Sequence, residues 1–484
     1  MNIKNVFKQS ALLTVSKILT MLVGIIQAML LAHKLSTGDY ALYSKTTTCV
    51  NIAASISVMG LNDAVLYFFN KSSDVNERDK YINSIFFLQI IFGITTGLVL
   101  FAGIVPISNW MKGPLLQKTI PIVFLQPLLI NLSSDYTTLF LSEDLAKEIA
   151  VVSVVLAPVR LIATIIAVFS NTPVLVYFGL ILIFDLIQVV FLCAILQKKR
   201  RTRVNPLKYE KNYFSEILKF SIPLGVAILV KSILVECDKL IISNQCFEAE
   251  YATYAAVSRT LPITLFAASM ASVLLPQITK HYHSNEKEQL YDSLRFYYLS
   301  GAVTSVLLGF AILPISKEVI SVLYSDKYLS GISIFIIYIF NDIIGFAYAG
   351  MLLTVTGNPK TLLLVNSCSL VANIILDYIL IKAIGIIGPA LVTVSVSVFN
   401  FVFQSSLGCK KAGISFVKAF PTKEIVVSAV KCGIISIGLY MIKSMLFSFT
   451  TLVNIIVYGA MGVFLSALLC KGTLFKILGV GQKA

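Results

Sequence analysis

Four basic residues, Lys17, Lys45, Lys231 and Arg259, lie inside long apolar runs of this 484-residue chain. A charge at the depth of a bilayer is expensive and turns toward a cavity or a partner, so each is a candidate functional group. Cations so placed lower the cost of taking an anion out of water, and Arg adds a two-pronged donor to the anion's oxygens. The competing reading for Lys17 and Lys45 is snorkelling, because both stand within about two turns of their helix ends. Arg160 is a fifth candidate cation. Among the acids, Asp63, Asp185, Glu236, Asp238, Asp342 and Asp377 could each carry a coupling proton or sodium ion. Alternatively they neutralise nearby bases, as Asp238 would Lys239.

Other chemistries lack their residues. No nucleophile triad, metal cluster, phosphate-cradling glycine loop or ATP motif is present, and the Gly-x-Gly at Gly479–Gly481 is a tail. His281 and His283 are placed in a polar loop, and the eight cysteines are scattered without a CxxC, most of them in apolar runs. The expectation is a non-enzyme with no metal and no cofactor beyond a coupling ion.

The elements that must hold these side chains follow from composition. The chain is 57% hydrophobic and 13% charged, with a mean hydropathy of +0.86. Soluble domains carry about 25% charged residues. This chain therefore has too little charge to cover a soluble surface, which excludes a soluble enzyme, a disordered chain and a nucleic-acid binder. It suits an all-α polytopic membrane protein with about 14 spans of about 20 residues. Apolar runs place them near 10–33, 40–68, 81–105, 118–142, 147–170 and 172–196, then near 214–243, 250–278, 294–323, 330–355, 361–382 and 384–408, with two more near 424–443 and 449–470. The run from Ser10 to His33 is too long for a cleavable signal and reads as an uncleaved first span.

The net charge of +15 and pI near 9.3 reflect basic loops rather than a nucleic-acid surface. Lys198, Lys199, Arg200, Arg201, Arg203, Lys208 and Lys211 follow the sixth span against a single Glu210, and Lys410, Lys411, Lys418 and Lys423 follow the twelfth. The turns at Asn171–Thr172, Ser243–Glu250 and Ser448–Thr451 hold no Lys or Arg. Fourteen spans with both termini in the cytoplasm put every strongly basic loop inside.

The long basic segment also divides the chain. The expected organisation is a six-helix bundle at 1–197, a cytoplasmic linker at 198–213, a second six-helix bundle at 214–408, and two further helices with a tail at 409–484. An internal repeat supports the two halves: Asp39-Tyr40-Ala41-Leu42-Tyr43 recurs as Glu250-Tyr251-Ala252-Thr253-Tyr254 at an offset of 211. The same offset carries Lys17 and Lys45 to within one helical turn of Lys231 and Arg259. A parallel repeat of this kind is the arrangement in which two bundles rock around a central site.

Three stretches resemble one family, the polysaccharide (O-antigen type) flippases of the multidrug/oligosaccharidyl-lipid/polysaccharide exporter superfamily. Leu35-Ser36-Thr37-Gly38-Asp39-Tyr40-Ala41-Leu42-Tyr43 is similar to the family's LS-x-x-(E/D)-Y-G-x-Y, with Ala41 in place of Gly. Ser221-Ile222-Pro223, followed by Asp238-Lys239-Leu240-Ile241-Ile242, resembles its seventh-span pattern. Gly357-Asn358-Pro359-Lys360, Asn373 through Tyr378, and Gly385 through Ala390 resemble the G-x-x-K, N-(I/L)-x-L-(N/D) and G-(I/V)-x-G-A-A elements, with Pro389 for Ala.

The resemblance implies two pseudo-symmetric, MATE-like bundles working by alternating access in a bacterial inner (cytoplasmic) membrane. It implies a flippase for undecaprenyl-diphosphate-linked oligosaccharide repeat units, with H+ or Na+ as coupling ion. It further implies membrane lipids, a polysaccharide polymerase and a chain-length regulator as partners. Related lipid II flippases carry basic residues on spans one, two and eight, which assigns Lys17, Lys45, Arg259 and, by the repeat, Lys231 to the substrate diphosphate. The alternatives are a cation-coupled multidrug exporter, which would want an acidic cavity, and a membrane glycan polymerase or ligase, which would want a large outer loop.

Overall fold

The computed structural model describes residues 3–71, 74–170, 172–199, 204–445 and 450–477, excluding the side chains of 3–15, 17, 264–269, 272, 273, 475 and 476. Arg200, Arg201 and Arg203, part of the orientation argument, lie outside the described residues, as does the tail with Gly479–Gly481. Among the described residues there is no strand, and eleven helices are long and apolar enough to cross a membrane. The chain is a multi-pass, all-α membrane protein that divides into two compact units, Met1–Ala252 and Thr253–Ala484.

Eleven expected spans are such helices, two are interrupted, and one is only partly described. The first expected span lies on α1 (Ile3–Lys34), whose described apolar part is Ile18–Lys34. The fourth is two helices, and so is the eighth, so a count of fourteen continuous spans does not emerge.

In the first unit, α1 is followed by α2 (Thr37–Val58), α3 (Leu61–Lys71), α4 (Val75–Ala102) and α5 (Ile104–Trp110). Next come α6 (Leu116–Val123), α7 (Gln126–Ser142), α8 (Ala146–Phe169), α9 (Val174–Lys199), α10 (Phe214–Gln245) and α11 (Glu248–Val257), the last of which crosses the unit boundary. The α6–α7 break splits the fourth span at residues 124–125, where Pro127, in the first turn of α7, has no N–H to give the Val123 carbonyl. α1 packs along α8, and α2 packs against α4, α7 and α10. Leu61, Phe68, Ile82, Phe86, Leu139 and Phe140 anchor the apolar core.

Helix bounds reproduce the repeat. The C-terminal ends of α1 and α10, at Lys34 and Gln245, and the starts of α2 and α11, at Thr37 and Glu248, keep the 211 offset. The repeated motif is a helix start in which each copy keeps a different half of a capping box. In the first copy, Ser36 Oγ accepts from the Asp39 amide at 3.0 Å. In the second, Phe247 stands where Ser36 was, and Glu250 Oε2 instead accepts from the Phe247 amide at 3.0 Å. Tyr40 and Tyr251 are both buried.

The copies then diverge. α2 continues to Val58, whereas α11 stops at Val257 and residues 258–263 are not helical. Pro262 lies in that stretch, lacks a backbone N–H, and disfavours helix at Leu261.

The second unit contains α12 (Thr264–His283), α13 (Lys287–Ile312), α14 (Ser316–Leu323), α15 (Ile332–Ile344), α16 (Met351–Val355) and α17 (Pro359–Ile384). These lead to α18 (Ile387–Lys411), α19 (Phe416–Ala419), α20 (Thr422–Met445), α21 (Thr451–Leu469) and α22 (Lys471–Ile477). α13 is central, packed by α12, α15, α20 and α21. Tyr298, Phe346, Phe401 and Phe420 form an aromatic cluster beside it. Lys443 on α20 pairs with Glu318 on α14 at 2.9 Å, and Asn454 on α21 donates to the same carboxylate at 3.2 Å, so one acid ties three helices together. His281 and His283 end α12 rather than sitting in a loop, and His281 Nδ1 lies 2.8 Å from Glu286 Oε2.

Candidate functional site

Helical spacing builds a polar cavity inside the first unit. Tyr43, Thr47 and Asn51 recur every four residues and share one face of α2, as Arg160 and Thr164 do on α8. With Gln27 of α1, Gln126 of α7 and Tyr177, Phe178 and Phe184 of α9, they surround a cavity of about 220 Å³. Arg160 and Asp185 form an ion pair beside it, and Asp185 also accepts from Gln126 Nε2 at 3.3 Å. Gln27 Nε2 donates to Thr164 Oγ1 at 3.0 Å. Arg160 therefore lines a cavity, and its charge there is cancelled.

The remaining cations occupy different settings. Lys45 is buried and donates to the carbonyls of Met111 and Lys112 at 2.9 and 3.3 Å, beyond the C-terminus of α5. Its ammonium also stands 5.1 Å from the centre of the Tyr251 ring. Lys231 is exposed on α10, and Lys17 is on α1 with its side chain outside the described residues. Arg259 is half-buried in the non-helical stretch after α11. Asp342 on α15 caps that stretch by accepting from the Leu261 amide at 2.8 Å.

Glu236 on α10 is held by three side chains. It accepts from Thr48 Oγ1 at 3.1 Å and Asn51 Nδ2 at 3.0 Å, and pairs with Lys239 Nζ at 3.0 Å. Asp238, expected beside Lys239, accepts from the Lys239 backbone amide through Oδ1 at 2.7 Å, while the Lys239 ammonium sits on Glu236. Residues one apart point to different sides of a helix, while those three apart meet. Asp63 is exposed in the first turn of α3, and Asp377 is fully buried on α17. Among the described residues, no cluster of three His, Cys, Asp or Glu could hold a metal.

Sequence reasoning missed a second polar centre, at the α2–α3 break. Met59 and Gly60 both have left-handed backbone, with φ of 41° and 71°. The break leaves carbonyls that buried amides collect: Asn131 Nδ2 donates to Ala54 O at 2.9 Å, and Gln89 Nε2 donates to Ser57 O at 3.1 Å. Asn62 reaches Asp135, an acid overlooked in the fourth run and now fully buried. α10 crosses here at close range. A Cβ on Gly60 would lie 2.3 Å from Ser221 O, and one on Gly225 would lie 2.5 Å from the Met59 carbonyl carbon. The usable signal was Gly60 inside an apolar run.

A family model described as polysaccharide biosynthesis protein matches residues 6–282. Among solved structures, the lipid II flippase MurJ in an inward closed conformation superposes with a TM-score of 0.75 at 16% identity, covering 97% of this chain and 99% of that one. An inward-facing multidrug resistance MATE family transporter of the MOP superfamily gives a TM-score of 0.67 at 13% identity, covering 81% of this chain and 96% of its own. A MOP superfamily transporter from Pyrococcus furiosus, whose binding pocket is described as reversed in polarity, gives 0.53 at 13% identity, with 84% and 96% covered. No curated protein sequence matches the chain. The likenesses establish a MATE-like fold.

Proposed function

Since this chain belongs to the polysaccharide biosynthesis protein family, we propose that it is a flippase for undecaprenyl-diphosphate-linked oligosaccharide repeat units. It would move them from the cytoplasmic to the outer leaflet of a bacterial inner membrane by alternating access, for O-antigen, capsule or a similar polysaccharide. The observation that carries this reading is coverage: the flippase fold accounts for nearly the whole chain, whereas the inward-facing multidrug transporter leaves about a fifth of it unmatched.

In this mechanism Arg259, Lys17, Lys231 and Lys45 hold the diphosphate while it is out of water. Lys45 has a condition attached, because its ammonium must first leave the Met111 and Lys112 carbonyls. H+ or Na+ would couple the cycle. Both termini lie in the cytoplasm, the protein performs no covalent chemistry, and a polymerase with its chain-length regulator receives the product outside.

The test is a deletion strain complemented with this chain, alongside proteoliposomes carrying a fluorescent undecaprenyl-diphosphate glycan. Restored surface polysaccharide and glycan appearing in the opposite leaflet are expected. Drug efflux with no polysaccharide phenotype would replace the reading with an exporter, and glycan chain growth by the purified protein would replace it with a polymerase.

A further inference from the structure

We propose that the cavity enclosed by α1, α2, α7, α8 and α9 binds one uncharged sugar ring of the transported glycan, separately from the diphosphate. The proposal rests on the flippase reading and names a subsite for it. Three observations converge on that class of ligand.

Charge comes first. Among the described residues Arg160 is the one cation lining the cavity, and its guanidinium is paired with Asp185. A diphosphate brought here would meet that carboxylate and would have to break the pair, leaving a buried anion without a partner. A neutral polyol has no such cost.

Hydrogen-bonding character comes second. The polar lining is amide and hydroxyl: Gln27, Gln126, Asn51, Thr47, Thr164 and Tyr177. Amides offer both donors and acceptors, and a sugar hydroxyl needs both. Gln27 and Gln126 each spend one N–H bond, on Thr164 and Asp185, and their carbonyl oxygens accept none among the described residues.

Shape comes third. Tyr43 and Phe178 stack with ring centres 5.9 Å apart, and both line the cavity beside these amides, as Tyr177 and Phe184 do. The C–H side of a pyranose suits such a wall, and its hydroxyl edge suits the amides. The volume of about 220 Å³ lies below the ~300–1,000 Å³ of sites that enclose drug-sized ligands. One ring fits, and a chain of rings does not.

The test uses the full-length protein in nanodiscs and saturation-transfer NMR with methyl glycosides of glucose, galactose, rhamnose, N-acetylglucosamine and glucuronic acid. At least one uncharged glycoside should receive saturation, and equimolar inorganic pyrophosphate should leave that signal unchanged. Thr164→Phe, which fills the cavity, and Gln126→Leu, which removes an amide at similar volume, should each cut it at least fivefold. Gln126→Leu decides the matter if Thr164→Phe does not fold. The proposal is overturned if no uncharged glycoside binds, if glucuronide alone binds, if pyrophosphate displaces the sugar, or if the folded variants bind as wild type does. Lipid-linked glycan flipping is measured in parallel. Flipping without glycoside binding removes the subsite and leaves the flippase, whereas glycoside binding without flipping does the reverse.

Discussion

Asn51 lines the polar cavity and donates its side-chain amide to Glu236 Oε1 at 3.0 Å, so the cavity wall on α2 is fastened to α10. Thr48 and Lys239 complete the shell of that carboxylate. Glu236→Gln leaves Lys239 without its ion partner and should cost on the order of 2 kcal/mol. Thermal unfolding in detergent measures this. Adding Lys239→Gln should recover part of the loss, and an unchanged midpoint for the single variant would show that the shell contributes nothing.

The α2–α3 break predicts an asymmetry among glycines. Gly60→Ala meets both a left-handed φ and the Ser221 carbonyl, and Gly225→Ala meets the Met59 backbone. Each should lower stability by about 2 kcal/mol or more, through overpacking and strain. Gly24→Ala and Gly179→Ala, whose added Cβ atoms would touch nothing within 4 Å, should be tolerated. Equal behaviour of all four variants in a melting assay would contradict the close crossing.

The cations should separate by variant. Arg259→Ala should abolish polysaccharide export at normal membrane abundance, and Arg259→Lys should keep part of it, retaining charge without the fork. Lys17→Arg should outperform Lys17→Gln, as only the second loses charge. Lys45→Gln should lower protein abundance as well as export, because Lys45 is buried against two backbone carbonyls. Export is read beside membrane protein level, and normal export by Gln variants of Lys17, Lys45 and Lys231 and by Arg259→Ala would end the cationic-site mechanism.

Topology has its own check. Alkaline phosphatase fused after Lys483 should be inactive, and the enzyme inserted within Ser243–Glu250 should be active, following the distribution of Lys and Arg. Activity at the C-terminus would require an odd number of crossings.

Much of the architecture was legible because it is written in periodic and repeated residues. The Asp39–Tyr43 and Glu250–Tyr254 matches gave the offset that the helix bounds keep, since a cap fixes where a helix begins regardless of what it later packs against. The interruptions were harder to see. Gly60 and Pro262 fall inside longer runs that are apolar on average, so a span-length window averages over Met59–Gly60 and over the short, partly polar stretch 258–263. Partner choice was the least legible. Nothing in sequence separates an Arg160 that binds substrate from one that neutralises Asp185 twenty-five positions away on the next helix. The same holds for Lys45, where the deciding groups are backbone carbonyls of Met111 and Lys112, which leave no side-chain signature.

The pairing of Arg160 with Asp185 has an electrical consequence. A single elementary charge moved across the membrane field exchanges about 2.3 kcal/mol per 100 mV with the resting potential. Arg160 and Asp185 travel together with opposite sign, so their displacement during a rocking motion does no net work against that voltage. This pair by itself therefore adds no voltage dependence to a movement that carries both residues together, and any voltage sensitivity of the proposed transport must enter through other charges.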